Sequence, residues 1–406
     1  MKKALIVLMA VALVGAFALP AAAADKTEWS FYGSARVGTW SYDDDKMSEE
    51  AAFTGINGFD DRDTVWALQG NSRFGANASA GSVSGRVELR ETSEWRVIWG
   101  EWDFGFGKLG VGKNYTPSNM FYSNQVGFGE ENMLSRGGFY TGADGMIRLS
   151  FENIADMLSF DLAFVDPNAA SLADGLIGTP ATVAWQSNAV APLATQTVVT
   201  AATAAVPFNL LYTPAAGAPF TAATTDIDTT LPQIEGRIRL NWGMFQMEMG
   251  GAWVSFDNVV LVNGAEREYD IDAWAVHFGT KFAMGPFYAN ANIHTGENNS
   301  YLGQYVIDPA VATYDAVNDT MIDSDRWGWQ AVAGFKLNDM ISFEAGYGEA
   351  EVDTNVVGEV EDEVSTYYLQ AVLSPAPGVL IIPEVGELDY ENDLTSTDEG
   401  DTFYFG

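Results

Sequence analysis

Apolar residues along this chain recur at every second position, the spacing of a β-strand with one buried face, and not at the 3.6 spacing of a helix. In residues 31–42, Phe31, Ala35 and Val37 fall on one face while Ser34 and Arg36 fall on the other. Residues 65–78 set Leu68, Phe74 and Ala76 against Gln69, Asn71, Arg73 and Asn77, and residues 83–91 set Val83, Val87 and Leu89 against Ser84, Arg86, Glu88 and Arg90. The next segment places Ile98, Trp102, Phe104 and Phe106 opposite Val97, Trp99, Glu101 and Asp103. A short strand from Lys108 follows, with Leu109 and Val111 on one face and Gly110 and Gly112 on the other. Continued to the aromatic DTFYFG at residues 401–406, the pattern predicts about sixteen strands.

The connections sort into two kinds. Tight turns such as Met284-Gly285-Pro286, Asp339-Met340 and Ala376-Pro377-Gly378 alternate with long polar loops, the link at 92–94 being the one short member of the long set. A soluble β-sandwich has no reason to put nearly all its loop length at one end, whereas an outer-membrane barrel has short periplasmic turns, long external loops and an even strand number. In lipid every backbone polar group must be paired internally, so strands cross only as a closed barrel, each about 9–11 residues long. Aromatic residues also gather near predicted strand ends, where interfacial girdles form: Trp29, Phe31, Trp40, Tyr42, Trp242, Phe256, Trp327, Trp329, Phe403 and Phe405.

Composition fits an exported protein. Lys2 and Lys3, an apolar run from Leu5 to Leu19 and the small residues Ala22-Ala23-Ala24 read as a secretory signal peptide over 1–24, leaving 25–406 as a single barrel. There is no cysteine, so no disulfide holds the mature chain. The formal charge is −35, and losing Lys2 and Lys3 makes it more negative by two. Nucleic acid, which needs a basic footprint, is excluded as a partner. An aromatic content of 13% argues against disorder. The uncharged stretch 189–225 is interrupted by Pro192, Pro207, Pro214 and Pro219, so it reads as part of a long external loop over about 167–232 and not as a membrane helix.

Between residues 108 and 138 a strand rises into a loop rich in Gly, Asn and Ser that carries the adjacent acids Glu130 and Glu131. Taken alone, this stretch fits an ordinary surface loop as well as a loop folded inward to narrow a channel. Its setting decides for the second. The opening FYGSARVG, the SRFG at 72–75, the GRVELRE at 85–91 and the FGFGKLGVGKNYTP at 104–117, in this order, make the chain resemble the trimeric, sixteen-stranded general porins of Gram-negative outer membranes. The resemblance extends loosely over the whole mature chain. It implies that the loop over about 116–138 folds into the lumen, with Glu130 and Glu131 facing a basic ladder of Arg36, Arg73, Arg86 and Arg90. The polar-face parity above places all four arginines away from lipid. The resemblance further implies a homotrimer in the bacterial outer membrane, in contact with lipid and lipopolysaccharide. Its solutes would be ions and small hydrophilic molecules, with no cofactor. The link at 92–94 is shorter than the loop relatives use there to latch a neighbour, and Gly406 follows the terminal aromatic that the family usually ends on.

Other chemistry finds little support. The two histidines, His277 and His294, lie on different predicted strands at polar wall positions, without the companions of a transition-metal site or a His-based nucleophile. Acid runs such as Asp43-Asp44-Asp45 lack the spacing of a dedicated calcium loop. The sequence therefore predicts a non-enzymatic diffusion channel with moderate cation selectivity. A substrate-specific channel is the nearest alternative, and a barrel enzyme or a sleeve for a membrane-crossing partner are more distant ones.

Overall fold

A computed structural model describes residues 27–44, 61–127, 133–167, 210–211, 222–229, 231–262, 265–307, 309–315, 320–356, 359, 361–392 and 400–406. The predicted signal segment 1–24 and the loop acids Glu130 and Glu131 lie outside them. β1 (Glu28–Ser34) and β2 (Val37–Asp44) run end to end, and β3 (Asp61–Leu68) and β4 (Arg73–Ala80) return beside them, β2 pairing with β3 and β1 with β4. β5 (Val83–Arg90), β6 (Trp95–Asp103), β7 (Lys108–Tyr115), β8 (Ala143–Ile154) and β9 (Leu158–Val165) follow as successive antiparallel neighbours.

The segment after β9 contributes β10 (Leu210–Leu211) and β11 (Ala222–Asp228) before β12 (Gln233–Trp242) returns to pair with β9. β13 (Phe245–Val262), β14 (Ala265–Met284) and β15 (Phe287–Glu297) continue the antiparallel order. A 3₁₀ turn at Asn299–Leu302 leads to β16 (Thr313–Asp315) and β17 (Thr320–Ile322), which with β10 make a small separate sheet. The large sheet resumes with β18 (Asp325–Lys336), β19 (Ile341–Asp353), β20 (Asp362–Ala376), β21 (Val379–Ile381), β22 (Glu384–Asn392) and β23 (Asp401–Phe405). β23 pairs with β22 on one side and with β2 on the other.

The large sheet counts twenty strands, against the sixteen expected. The surplus has local causes. β1 and β2, and likewise β3 and β4, are halves of one run, interrupted where Ser72 Oγ accepts from Arg36 N (3.0 Å) and donates to Arg36 O (3.3 Å), which also accepts from Gln69 N (2.9 Å). β21 and β22 are separated at Pro383, which has no N–H to give a ladder. β11 forms inside the segment expected as loop and pairs with the distal end of β13.

The faces follow the alternation. Phe31, Val37, Phe74, Val87, Ile98 and Ile238 stand on the exposed face, while Glu88, Val97, Glu235 and His277 are buried on the other. Trp29, Trp242 and Phe405 lie exposed near strand ends, as a girdle requires. Trp40, Tyr42 and Phe256 do not: they turn to the covered face, where Trp40 packs edge-on against Tyr404 (5.7 Å) and Phe256 against Tyr301 (4.9 Å). Their odd step from the exposed residues of their strands, such as Val37 and Met249, fixes this, and their position near a strand end does not override it.

The turn between β14 and β15 has two residues, with Gly285 at φ 59 followed by Pro286, the arrangement of a type II′ hairpin. A side chain at that φ is strained by about 1–2 kcal/mol. Gly285→Val is expected to lower the unfolding free energy by that much, read as a lower denaturant midpoint at unchanged slope, while leaving the far-ultraviolet β spectrum unchanged; an unaltered midpoint would contradict the turn assignment.

Candidate functional site

The connection from β7 to β8, residues 116–142, is fastened at its base. Asn119 Oδ1 accepts from the Thr141 and Gly142 amides (2.8 and 3.0 Å), and the Thr116 and Thr141 hydroxyls pair at 2.6 Å. From there the loop runs across the covered face of the sheet, and wall carboxylates meet its backbone in turn. Ser118 N donates to Glu235 on β12 (3.0 Å), and the Tyr122 hydroxyl to Glu248 on β13 (2.9 Å). Asn124 N donates to Glu344 on β19 (2.9 Å), and Val126 N and Gly127 N both donate to Glu384 on β22 (2.8 Å each). All four glutamates are buried. A buried carboxylate is tolerated only when hydrogen-bonded, and a loop's free N–H groups need acceptors. Burial, and then the charge of Glu248, push the Tyr122 hydroxyl above its ordinary pKa, so it stays a donor.

The returning half of the loop uses carbonyls. Asn292 Nδ2 donates to Gly137 O (2.9 Å), Arg326 to Ser135 O (3.1 Å), and Arg136 reaches the Tyr390 hydroxyl (2.6 Å). Phe139 is fully buried between the two histidines, 5.3 Å from each ring. His277 and His294 are thus wall residues covered by the loop. A second connection, after β15, lies on top of the first: Tyr305 N donates to Tyr140 O (2.8 Å), and Leu302 O accepts from Gln233 (3.2 Å).

The predicted arginines divide. Arg73 and Arg86 converge on Glu88, which is fully buried, at 3.8 and 2.6 Å, and Tyr32 donates to the same carboxylate (2.7 Å). A third cation, Arg96, reaches Glu88 at 3.4 Å. Arg36 sits at the break between β1 and β2, its backbone held by Ser72 and Gln69. Arg90 lies farther along and lines a cavity of about 960 Å³ with Arg96, Lys113, Glu94, Tyr140 and Tyr305.

A second cavity, about 170 Å³, lies against the first half of the loop and is lined by Arg148, Arg237, Arg239 and Lys281 with Glu248, Tyr115 and Phe121. Arg237 pairs with Asp161 (2.7 Å) and Arg239 with Glu248 (3.2 Å). The sequence reading passed over these cations and over the four glutamates that hold the loop. The signal was present: Glu235, Arg237 and Arg239 alternate with Ile234, Ile238 and Leu240, the same parity that singled out the earlier arginines.

No family model matches the chain, and no curated protein matches it. Among solved structures, the outer membrane channel DcaP of Acinetobacter baumannii is similar at a TM-score of 0.60 and 11% identity, over 93% of this chain and 96% of that one. The outer-membrane protein OmpT of Vibrio cholerae follows at 0.52 and 14% identity, over 94% and 97%. OmpF of Salmonella typhi, in complex with daunomycin, gives 0.50 and 11% identity, over 93% and 96%. The chain shares the fold of these outer-membrane proteins.

Removing one wall carboxylate tests how the loop is held. Glu344→Ala deprives Asn124 of its acceptor, a loss of about 1–3 kcal/mol. Hydrogen exchange over residues 121–127 is expected to rise about tenfold to a hundredfold, with the strand cores unaffected. Unchanged protection of the loop would show that the carboxylate does not fasten it.

Proposed function

We propose that this chain is a porin, a passive outer-membrane channel for ions and small hydrophilic solutes. One observation carries the reading: loop 116–142 is laid across the covered face of a sheet whose last strand pairs with its first. Counting each interrupted run as one crossing and setting β11 aside leaves sixteen, which supports a closed barrel with the loop inside as its constriction. The exposed apolar side chains of alternate positions supply the lipid-facing surface such a barrel needs. The fold likeness supports an outer-membrane location, with export on the cleaved segment 1–24. One solved form of the Vibrio OmpT is a trimer, which supports a homotrimer here, set in lipid and lipopolysaccharide.

Selectivity follows from where the charges stand. At the strand ends away from the tight turns, acids face each other across neighbouring strands: Asp228, Asp257 and Asp270 in one row, Glu297, Asp325 and Asp353 in another. Such a mouth attracts cations, but only within a Debye length, about 10 Å at 0.1 M salt. Glu130 and Glu131, carried on the constriction loop, add to the same sign. The lumen behind them has Arg36, Arg73, Arg86 and Arg90 on its wall, which oppose it. The channel is therefore moderately cation-selective at low ionic strength, and the preference weakens as salt rises.

Unboiled protein is expected to migrate as an oligomer on a detergent gel, and a monomeric band would remove the trimer. Across a planar bilayer under a salt gradient, the reversal potential should favour cations at low salt and approach zero as salt is raised. Glu130→Gln with Glu131→Gln should lower the low-salt preference. Anion selectivity of the native channel at low salt, or no response to the double change, would overturn the proposed eyelet.

A further inference from the structure

We propose that the cavity between β8, β12, β13, β14 and the first half of the loop is a binding station for small organic carboxylates, anions with an apolar face. The inference rests on the channel reading above and adds a solute class to it. The cavity is lined by four cations, Arg148, Arg237, Arg239 and Lys281, and one carboxylate, Glu248. Asp161 and Glu248 answer Arg237 and Arg239. Of the other two, Lys281 has no carboxylate partner among the described residues and Arg148 has only Glu101, at 3.8 Å.

Lys281 makes no ion pair with any described residue: Nζ donates to the Phe121 carbonyl (2.8 Å) and stands 4.7 Å from the centre of the Tyr122 ring. Arg148 lies over the Trp99 ring at 4.8 Å, its nearest carboxylate is Glu101 at 3.8 Å, and its buried Nε has no acceptor. A planar guanidinium with an unfilled donor and an ammonium with open donors, facing one polar cavity, are what a carboxylate accepts from. A hydrated cation entering the same space meets a surplus of positive charge.

The apolar half of the proposal comes from the rings. Phe121 is 42% exposed although its loop lies on the covered side of the sheet, so its surface is presented to the cavity and not to lipid. Tyr115 meets it edge-on at 5.5 Å, and Tyr140 closes the cluster at 5.6 Å from Phe121. Tyr140 also lines the larger cavity, where Arg90, Arg96 and Lys113 gather. The rings therefore join an outer cationic chamber to the inner one. An anion reaching the inner chamber finds donors on the strands and an aromatic wall on the loop, and inorganic oxyanions use only the first of these.

The experiment is block of the chloride current through the native channel in a planar bilayer at constant ionic strength. Benzoate is expected to block reversibly, more strongly than acetate or inorganic phosphate, while neutral benzamide does not. Arg148→Gln or Lys281→Gln should weaken the benzoate block about tenfold, the scale of one hydrogen bond to a charged group. Lys281→Arg should retain it, which separates lost charge from a displaced loop, and Phe121→Ala should weaken benzoate but not phosphate. Equal effects of benzoate and benzamide, or an undiminished block in both Gln variants, would overturn the station. Phosphate blocking as well as benzoate would overturn its apolar side. Absence of any current from the folded native protein would instead overturn the channel reading itself.

Discussion

Four buried glutamates on one side of the sheet set the course of the loop that crosses its covered face. Glu235, Glu248, Glu344 and Glu384 stand on β12, β13, β19 and β22, and each accepts from the loop between Ser118 and Gly127. Each partner needs the other. A carboxylate at 5% exposure or less is costly without donors, and a stretch of irregular backbone has amides that no ladder satisfies. Bringing them together meets both requirements, so the loop's path is fixed by where the strands put their acids. The tyrosines beside them extend the reach. Tyr368 donates to Glu344 (2.5 Å) and Tyr404 to Glu384 (3.0 Å), so ring and hydroxyl bridge wall and loop together.

The same logic with opposite sign governs β4 to β6. Glu88 is fully buried among Arg73, Arg86 and Arg96, and removing it would leave three cations close together with no counter-charge. A chain of net charge −35 thus keeps many of its few basic residues on the covered face and leaves acids for the rim. The segregation is enforced by strand geometry. A residue two positions along stays on the same face, so one polar parity collects Arg36, Arg73, Arg86, Arg148 and Arg237 without any local sequence likeness among them.

Much of this was legible in the sequence because strand parity is a local property. The faces of β1 to β7 read correctly from alternation alone, including Val97 and Trp99 on the polar side, where both are buried. Trp40, Tyr42 and Phe256 were misplaced when proximity to a strand end was allowed to outweigh that parity. The strand count differed because a hydroxyl at Ser72 and a proline at position 383 break ladders without breaking alternation. What alternation cannot supply is which inward residue meets which. Glu384 is more than two hundred positions from the Val126 amide it accepts, and nothing near either residue announces the other. The convergence of Lys281 on the Phe121 carbonyl spans 160 positions. Pairing across the covered face depends on how many strands lie between the partners and how those strands are staggered, which the pattern of a single strand does not contain.

The loop and the charged strands together divide the covered face. The loop and the tyrosines that hold it cover much of the sheet along β12 to β22, and two cavities are left beside them, one against β5 to β8 and one against β8 and β12 to β14. Arg90, Arg96, Arg148, Arg239 and Lys281 line these two cavities, with Tyr115, Phe121 and Tyr140 at their junction. In the channel proposed above, a solute passing the loop meets cations on one flank and aromatic rings on the other. Of the glutamates that anchor the loop, Glu235 and Glu384 turn their oxygens to loop amides, while Glu248 lines the smaller cavity beside Arg239. Acids number almost three to one over bases in the whole chain, yet the two cavities are lined by seven cations and two carboxylates. Net charge describes the mouth of such a protein; the hydrogen-bonding duties of its buried acids determine the sign of the interior.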